Sequence, residues 1–312
     1  MATGRTSGLQ AAVASAIFLG LAPIFGKQAI LIGFSPLSVV TLRTALATLL
    51  LLILMALFKR KFFFIYPIGL WGCLLAGFTN GLGSILYYTA LSRLDASIGQ
   101  LIYSFYPLCV AFWLLLDRNP ISRLTLIRLA LSIPGITLLL STGLKTIDWL
   151  GALLMLGSAI LYAFHLIINQ RVLYEVPAPT VTFYTLLAMG VTVSVAYALF
   201  DRTLPASTTP WWPILGMALI TFLSRVTLFL GVKLLGGLQT AILGLGELFV
   251  TLITAQIWLG DRFTLWQWIG AAFLGISLFL VAFDRPGPEK KRKSGLLAWL
   301  NPPYIQPGDI RW

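Results

Sequence analysis

The chain has 312 residues, 58% of them hydrophobic and only 10% charged, with a mean hydropathy of +0.91; a soluble domain carries about 25% charged residues. The net charge of +12 invites a nucleic-acid reading. The basic residues, however, sit in short loops and one tail, without a basic–aromatic surface or zinc-ligand spacing. What remains is an integral membrane protein.

Ten apolar runs follow one another, bounded by charges, prolines or glycines. They lie at 9–31, 36–58, 66–91, 96–116, 122–143, 149–170, 179–200, 211–233, 239–259 and 264–283. Each has about the 20 residues that a helix needs to cross a bilayer core. The eight residues before the first run are too short and polar for a separate signal peptide. Cys73 and Cys109 fall inside runs and read as small buried hydrophobes. No connection is long enough to hold a soluble domain.

Loop charges orient the spans. With the N-terminus inside, the inner segments carry Arg5, Lys59, Arg60, Lys61, Arg118, Arg123, Arg171, Lys233 and the tail cluster. The outer loops hold Arg93, Lys145, Arg202 and Arg262. This asymmetry puts both termini in the cytoplasm.

The halves echo each other at an offset of about 140–144 residues, as internal repeats of transporters do. Ser15-Ala16 matches Ser158-Ala159, Pro36 matches Pro179, and Ala56-Leu57-Phe58 matches Ala198-Leu199-Phe200. Asp117-Arg118 matches Asp261-Arg262, and Gly135-Ile136 matches Gly275-Ile276. Five spans per repeat is an odd number, so the halves cross the membrane in opposite senses. The expected fold is therefore all-α and membrane-integral: ten transmembrane helices as two inverted five-helix repeats, 9–143 and 149–284. The remaining tail, 285–312, is basic and expected to be mobile. Its Lys290, Lys291, Arg292 and Lys293 suit a contact with anionic lipid.

Polar groups at membrane depth are few, and an ionisable one defaults to a functional role. Glu247 lies eight residues into the ninth run. Arg225 lies at nearly the same level of the eighth, by a rise of about 1.5 Å per residue. They form either a buried ion pair that fixes packing or two walls of a cavity where substrate or protons compete for one partner. His165, the only histidine, is read as a packed core residue or a proton relay, with Tyr162 on the same helix face. Asn80, Gln100, Tyr103 and Gln256 bond across helices or line a cavity. Lys27 snorkels to the interface, and Arg43 is expected to make a structural bond. Pro23 and Pro107 within spans suggest kinks, and Gly77, Gly81, Gly83, Gly244 and Gly246 permit close helix contact or bending.

No HExxH, GxSxG or Walker loop is present, and no cofactor or metal ligand set is expected. The chain reads as a transporter rather than an enzyme. The rival reading is a non-transporting membrane scaffold or lipid-binding subunit, in which Glu247 and Arg225 are structural glue.

Several motifs resemble the EamA-type members of the drug/metabolite transporter superfamily. They are Gly20 followed by Lys27 within FLGLAPIFGK (18–27), Pro36 followed by Arg43, LYYTALSRLDASIGQLI (86–102), SAILYA (158–163) and GDRF (260–263). The resemblance spans all ten runs and leaves out the tail. It implies an inverted-repeat secondary transporter of the bacterial inner membrane with a central cavity, usually exporting amino acids or other small metabolites. Tyr103, Tyr162 and Trp258 are then available to pack against apolar parts of the cargo, and Arg225 to draw an anionic one.

Overall fold

The computed structural model describes residues 2–117, 123–140, 148–203, 208–259 and 265–280. The tail with Lys290, Lys291, Arg292 and Lys293, and with it Arg118, Lys145, Asp261 and Arg262, lies outside the described residues. Those that are described form twelve α-helices and one 3₁₀ turn at Arg60–Phe63. The helices are α1 (Ala2–Leu31), α2 (Pro36–Phe58), α3 (Pro67–Arg93), α4 (Ala96–Tyr103), α5 (Tyr106–Leu116) and α6 (Arg123–Leu140). The second half supplies α7 (Trp149–Leu173), α8 (Ala178–Phe200), α9 (Trp212–Leu235), α10 (Gly237–Gly244), α11 (Gly246–Leu259) and α12 (Leu265–Phe279).

Helix starts follow local chemistry. Pro36, Pro67, Pro179 and Pro213 each stand in the first turn of a helix, where a missing N–H costs nothing and φ is already helical. Ser35 caps α2 by accepting the Ser38 amide at 3.1 Å. Asp148 caps α7 by accepting the Gly151 amide at 3.0 Å.

Two runs expected as single spans are each broken in the middle. The first becomes α4 and α5, and the second α10 and α11. Hydropathy cannot register this, because both pieces are apolar. At the first break Pro107, in the first turn of α5, cannot donate to the ladder of α4. At the second, the Leu245 amide turns to Ile242 O at 3.1 Å, the tighter spacing of a 3₁₀ turn. Ala241 O takes the Tyr106 hydroxyl instead, at 3.0 Å. A Cβ on Gly244 would collide with that hydroxyl, so the two breaks are locked together.

Among the described residues, eight stretches are long and apolar enough to cross a bilayer. They are Thr6–Leu31, Pro36–Phe58, Pro67–Arg93, Ala96–Leu116, Trp149–Leu173, Ala178–Phe200, Trp212–Leu235 and Gly237–Trp258. The described parts of the fifth and tenth expected spans, α6 and α12, pack on each other at the edge of the bundle. Partners are exchanged between halves: α1 lies along α9 and α11, α7 lies along α3 and α5, and α2 lies against α8.

The bundle is apolar on the outside, and its buried charges are gathered within an otherwise apolar core. Leu215 and Leu219, Val191 and Val195, and Ile253 and Ile257 stand exposed at four-residue spacing, one face of each helix. Apolar surface on this scale belongs in lipid. Close backbone approaches hold the interior. A Cβ on Gly20 would sit 2.5 Å from Glu247 O, so the α1 and α11 backbones touch there, and Gly77 meets Thr185 O of α8 in the same way.

Candidate functional site

Several of the buried polar groups converge on a cavity between the halves, with room of about 50 Å³ for the centres of water molecules. Such a volume holds several waters. Its wall takes residues from α1, α2, α3 and α4 of the first half and from α7, α9 and α11 of the second. Of the residues singled out in the sequence, Glu247, Arg225, Tyr162, Tyr103, Asn80 and Gln100 all line it. They come from α11, α9, α7, α4 and α3, and only the fold brings them together.

Glu247 is 2% exposed and Arg225 5% exposed. Among the described residues the two form no ion pair. The Arg225 Nη2 donates to Asn80 Oδ1 at 3.5 Å, the outer limit of a hydrogen bond, and its guanidinium lies 5.7 Å from the Tyr162 ring centre. Among the described residues its Nη1 has no partner, and neither has Glu247 Oε1. Tyr106 and Gln100 stand beside the Glu247 carboxyl, and Gln100 Oε1 accepts the Tyr87 hydroxyl at 3.0 Å. Two opposite charges thus face a shared space without closing on each other.

His165 lies behind the wall rather than in it. Its ring stacks on Tyr162 at 5.8 Å, its Nδ1 is 2.9 Å from Ala76 O, and Asn169 Nδ2 is 3.0 Å from the same nitrogen. Trp258 is elsewhere altogether, stacked on Trp212 beside Phe25.

The sequence reading missed part of the wall. Arg43, expected to be structural, lines the cavity, as do Ser84, Tyr87, Tyr88 and Ser158. Arg43 Nη1 donates to Thr221 Oγ1 at 3.2 Å and Nη2 to Ser84 Oγ at 3.4 Å, with the Tyr88 ring centre 4.7 Å from its Cζ. Its Nε has no partner among the described residues. The available signal was depth, since Arg43 sits about two turns into its span. Lys27 is also more than a snorkelling residue: its Nζ donates to Leu91 O at 3.0 Å and Leu94 O at 2.8 Å, closing the end of α3.

A second buried charge arrangement stands apart from the cavity. Arg171 at the end of α7, counted in the sequence as an inner-loop charge, is 6% exposed. It pairs with Asp117 after α5 through Nη2 at 2.5 Å and Nε at 3.2 Å.

An apolar-coated helical bundle of two partner-exchanging halves around a polar cavity is the architecture of a membrane transporter. Residues 6–141 and 149–283 match the EamA-like transporter family. The chain belongs to that family. A curated relative, the uncharacterized transporter sll1319 of Synechocystis sp., is 25% identical over 236 residues, covering 72% of this chain and 70% of its own. A solved structure described only as "Crystal structure of protein" shares the fold, with a TM-score of 0.67 at 15% identity over 91% of this chain and 97% of its own. The protein is an integral membrane transporter rather than an enzyme.

Proposed function

We propose that the protein is a secondary transporter that exports amino acids or similar small metabolites across a bacterial inner membrane by alternating access. The observation that carries this reading is the cavity between the halves, where Arg225 and Glu247 each keep an unpartnered polar atom. Unpaired buried charges cost stability, so a scaffold would gain nothing by holding them apart. A binding site needs them open.

The rest of the reading is topological. Ten spans form two inverted repeats, 9–143 and 149–284, with both termini cytoplasmic. The exchange of partners between α1 with α9 and α7 with α3 suits such a pair of repeats. The interrupted fourth and ninth spans suit discontinuous helices beside a binding site. Lys290, Lys291, Arg292 and Lys293 then face the cytoplasmic leaflet and meet anionic lipid.

Reconstituted vesicles test the function. Labelled amino acids should move through the wild type, faster with a pH gradient if Glu247 exchanges a proton. No movement for any of them, with or without the gradient, overturns amino-acid transport. Topology is tested by single cysteines at positions 145 and 233 in a cysteine-free background. Labelling from opposite sides is expected, and labelling from one side sinks the inverted repeat.

A further inference from the structure

The cavity carries an excess of positive charge. Its charged lining residues are Arg43, Arg225 and Glu247, and all three are at least nine-tenths buried. With Glu247 ionised they sum to one positive charge, and with it protonated to two. Among the described residues no carboxylate pairs with either arginine. Arg43 is held by two hydroxyls and a tyrosine ring, Arg225 by one amide and another ring. Neutral groups orient a guanidinium but leave its charge uncompensated, which is costly in a low dielectric.

Each guanidinium also keeps one unpartnered nitrogen among the described residues, Nε on Arg43 and Nη1 on Arg225. A carboxylate has two oxygens and accepts charge-assisted bonds from such donors. We propose that the cavity takes a small organic carboxylate of net negative charge, set against Arg43 and Arg225 together, while Glu247 receives any donor group on the cargo. This rests on the transport reading above and narrows its substrate class. Arg43 is then a binding residue of the same cavity as Arg225, supplied by the other half of the chain.

The test is ligand-induced stabilisation of the full chain purified in detergent, at neutral pH. The probes are three acids and their neutral isosteres: lactate with lactamide, L-aspartate with L-asparagine, and L-glutamate with L-glutamine. At least one acid should raise the melting temperature at concentrations about tenfold below its amide, the worth of one charge-assisted bond or more. Arg43→Gln and Arg225→Gln should each erase most of that preference. Arg43→Lys, which keeps the charge but not the fork, should retain part of it and serves where the glutamine variant does not fold. Acids no better than amides in every pair overturn the proposal, and an intact preference in Arg43→Gln removes Arg43 from it. The assay reads binding alone. An acid preference without vesicle uptake would leave the site standing and defeat transport, whereas uptake with amides preferred would do the reverse.

Discussion

The molecule buries charge in two places and treats it in opposite ways. At the ends of α5 and α7, Asp117 and Arg171 close on each other at 2.5 Å. In the central cavity, Arg43, Arg225 and Glu247 are just as buried, yet each keeps an unpartnered polar atom. Depth alone therefore does not mark a working residue. A closed pair has met its electrostatic need within the protein, and an open set has left it for something else to meet.

Substitutions sharpen this contrast, taken here in order of their effect on stability. Arg171→Gln removes the charged bonds that Arg171 makes to the buried Asp117 carboxyl and should cost about 3–5 kcal/mol, as broken buried pairs do, seen as a large fall in melting temperature. Gly20→Ala forces a methyl to within 2.5 Å of Glu247 O and should cost about 1–3 kcal/mol, as overpacking does. It should also impair transport by moving Glu247. Tyr106→Phe removes the bond to Ala241 O and should cost about 1 kcal/mol. In that background Gly244→Ala should be better tolerated than in the wild type, because the hydroxyl it strikes is gone; equal penalties would contradict the lock between the breaks.

Glu247→Gln comes next and breaks the comparison if it fails. Because no ion pair is lost, melting should stay close to wild type while transport is lost. The double variant with Arg225→Gln should likewise fold and not transport. Full activity in either, or a collapse in stability like that of Arg171→Gln, would make Glu247 structural.

The smallest effect is expected at Asp148, outside the membrane. The Gly151 amide and then the Arg93 side chain hold its carboxyl below the usual value. A lowered value in the fold means that its contribution is present above the unfolded pKa, about 4, and fades as the pH falls below it. Asp148→Asn should lower melting slightly at neutral pH, with the deficit vanishing and the acid limb flattened below about pH 4.

How much of this was legible depends on the kind of signal. Span positions were readable because a bilayer demands a continuous apolar stretch, and Pro36 and Phe58 bound α2 as the hydropathy placed them. The breaks at Phe105 and Leu245 were not, although Pro107, Gly244 and Gly246 marked the neighbourhoods. What fixes the second break is Tyr106, far away in the chain. Polar depth brought out Glu247, Arg225, Asn80 and Gln100. It could not say that Arg43 of α2 joins them while His165 of α7 turns to Ala76, since each looks like a lone polar residue on an apolar helix. The Arg171 pairing escaped because a basic residue near a span end resembles an ordinary topology signal.

The contact at Gly20 has a mechanical consequence. Side chains between helices act as a lubricant, since rotamers can exchange while one rod slides past another. At Gly20 that layer is missing, and the Thr251 hydroxyl pins the junction by bonding Gly20 O at 2.7 Å. α1 and α11 are thus welded at the level of Glu247. Any motion that carries this carboxylate must carry the first helix with it, and with that helix the N-terminal end of the chain.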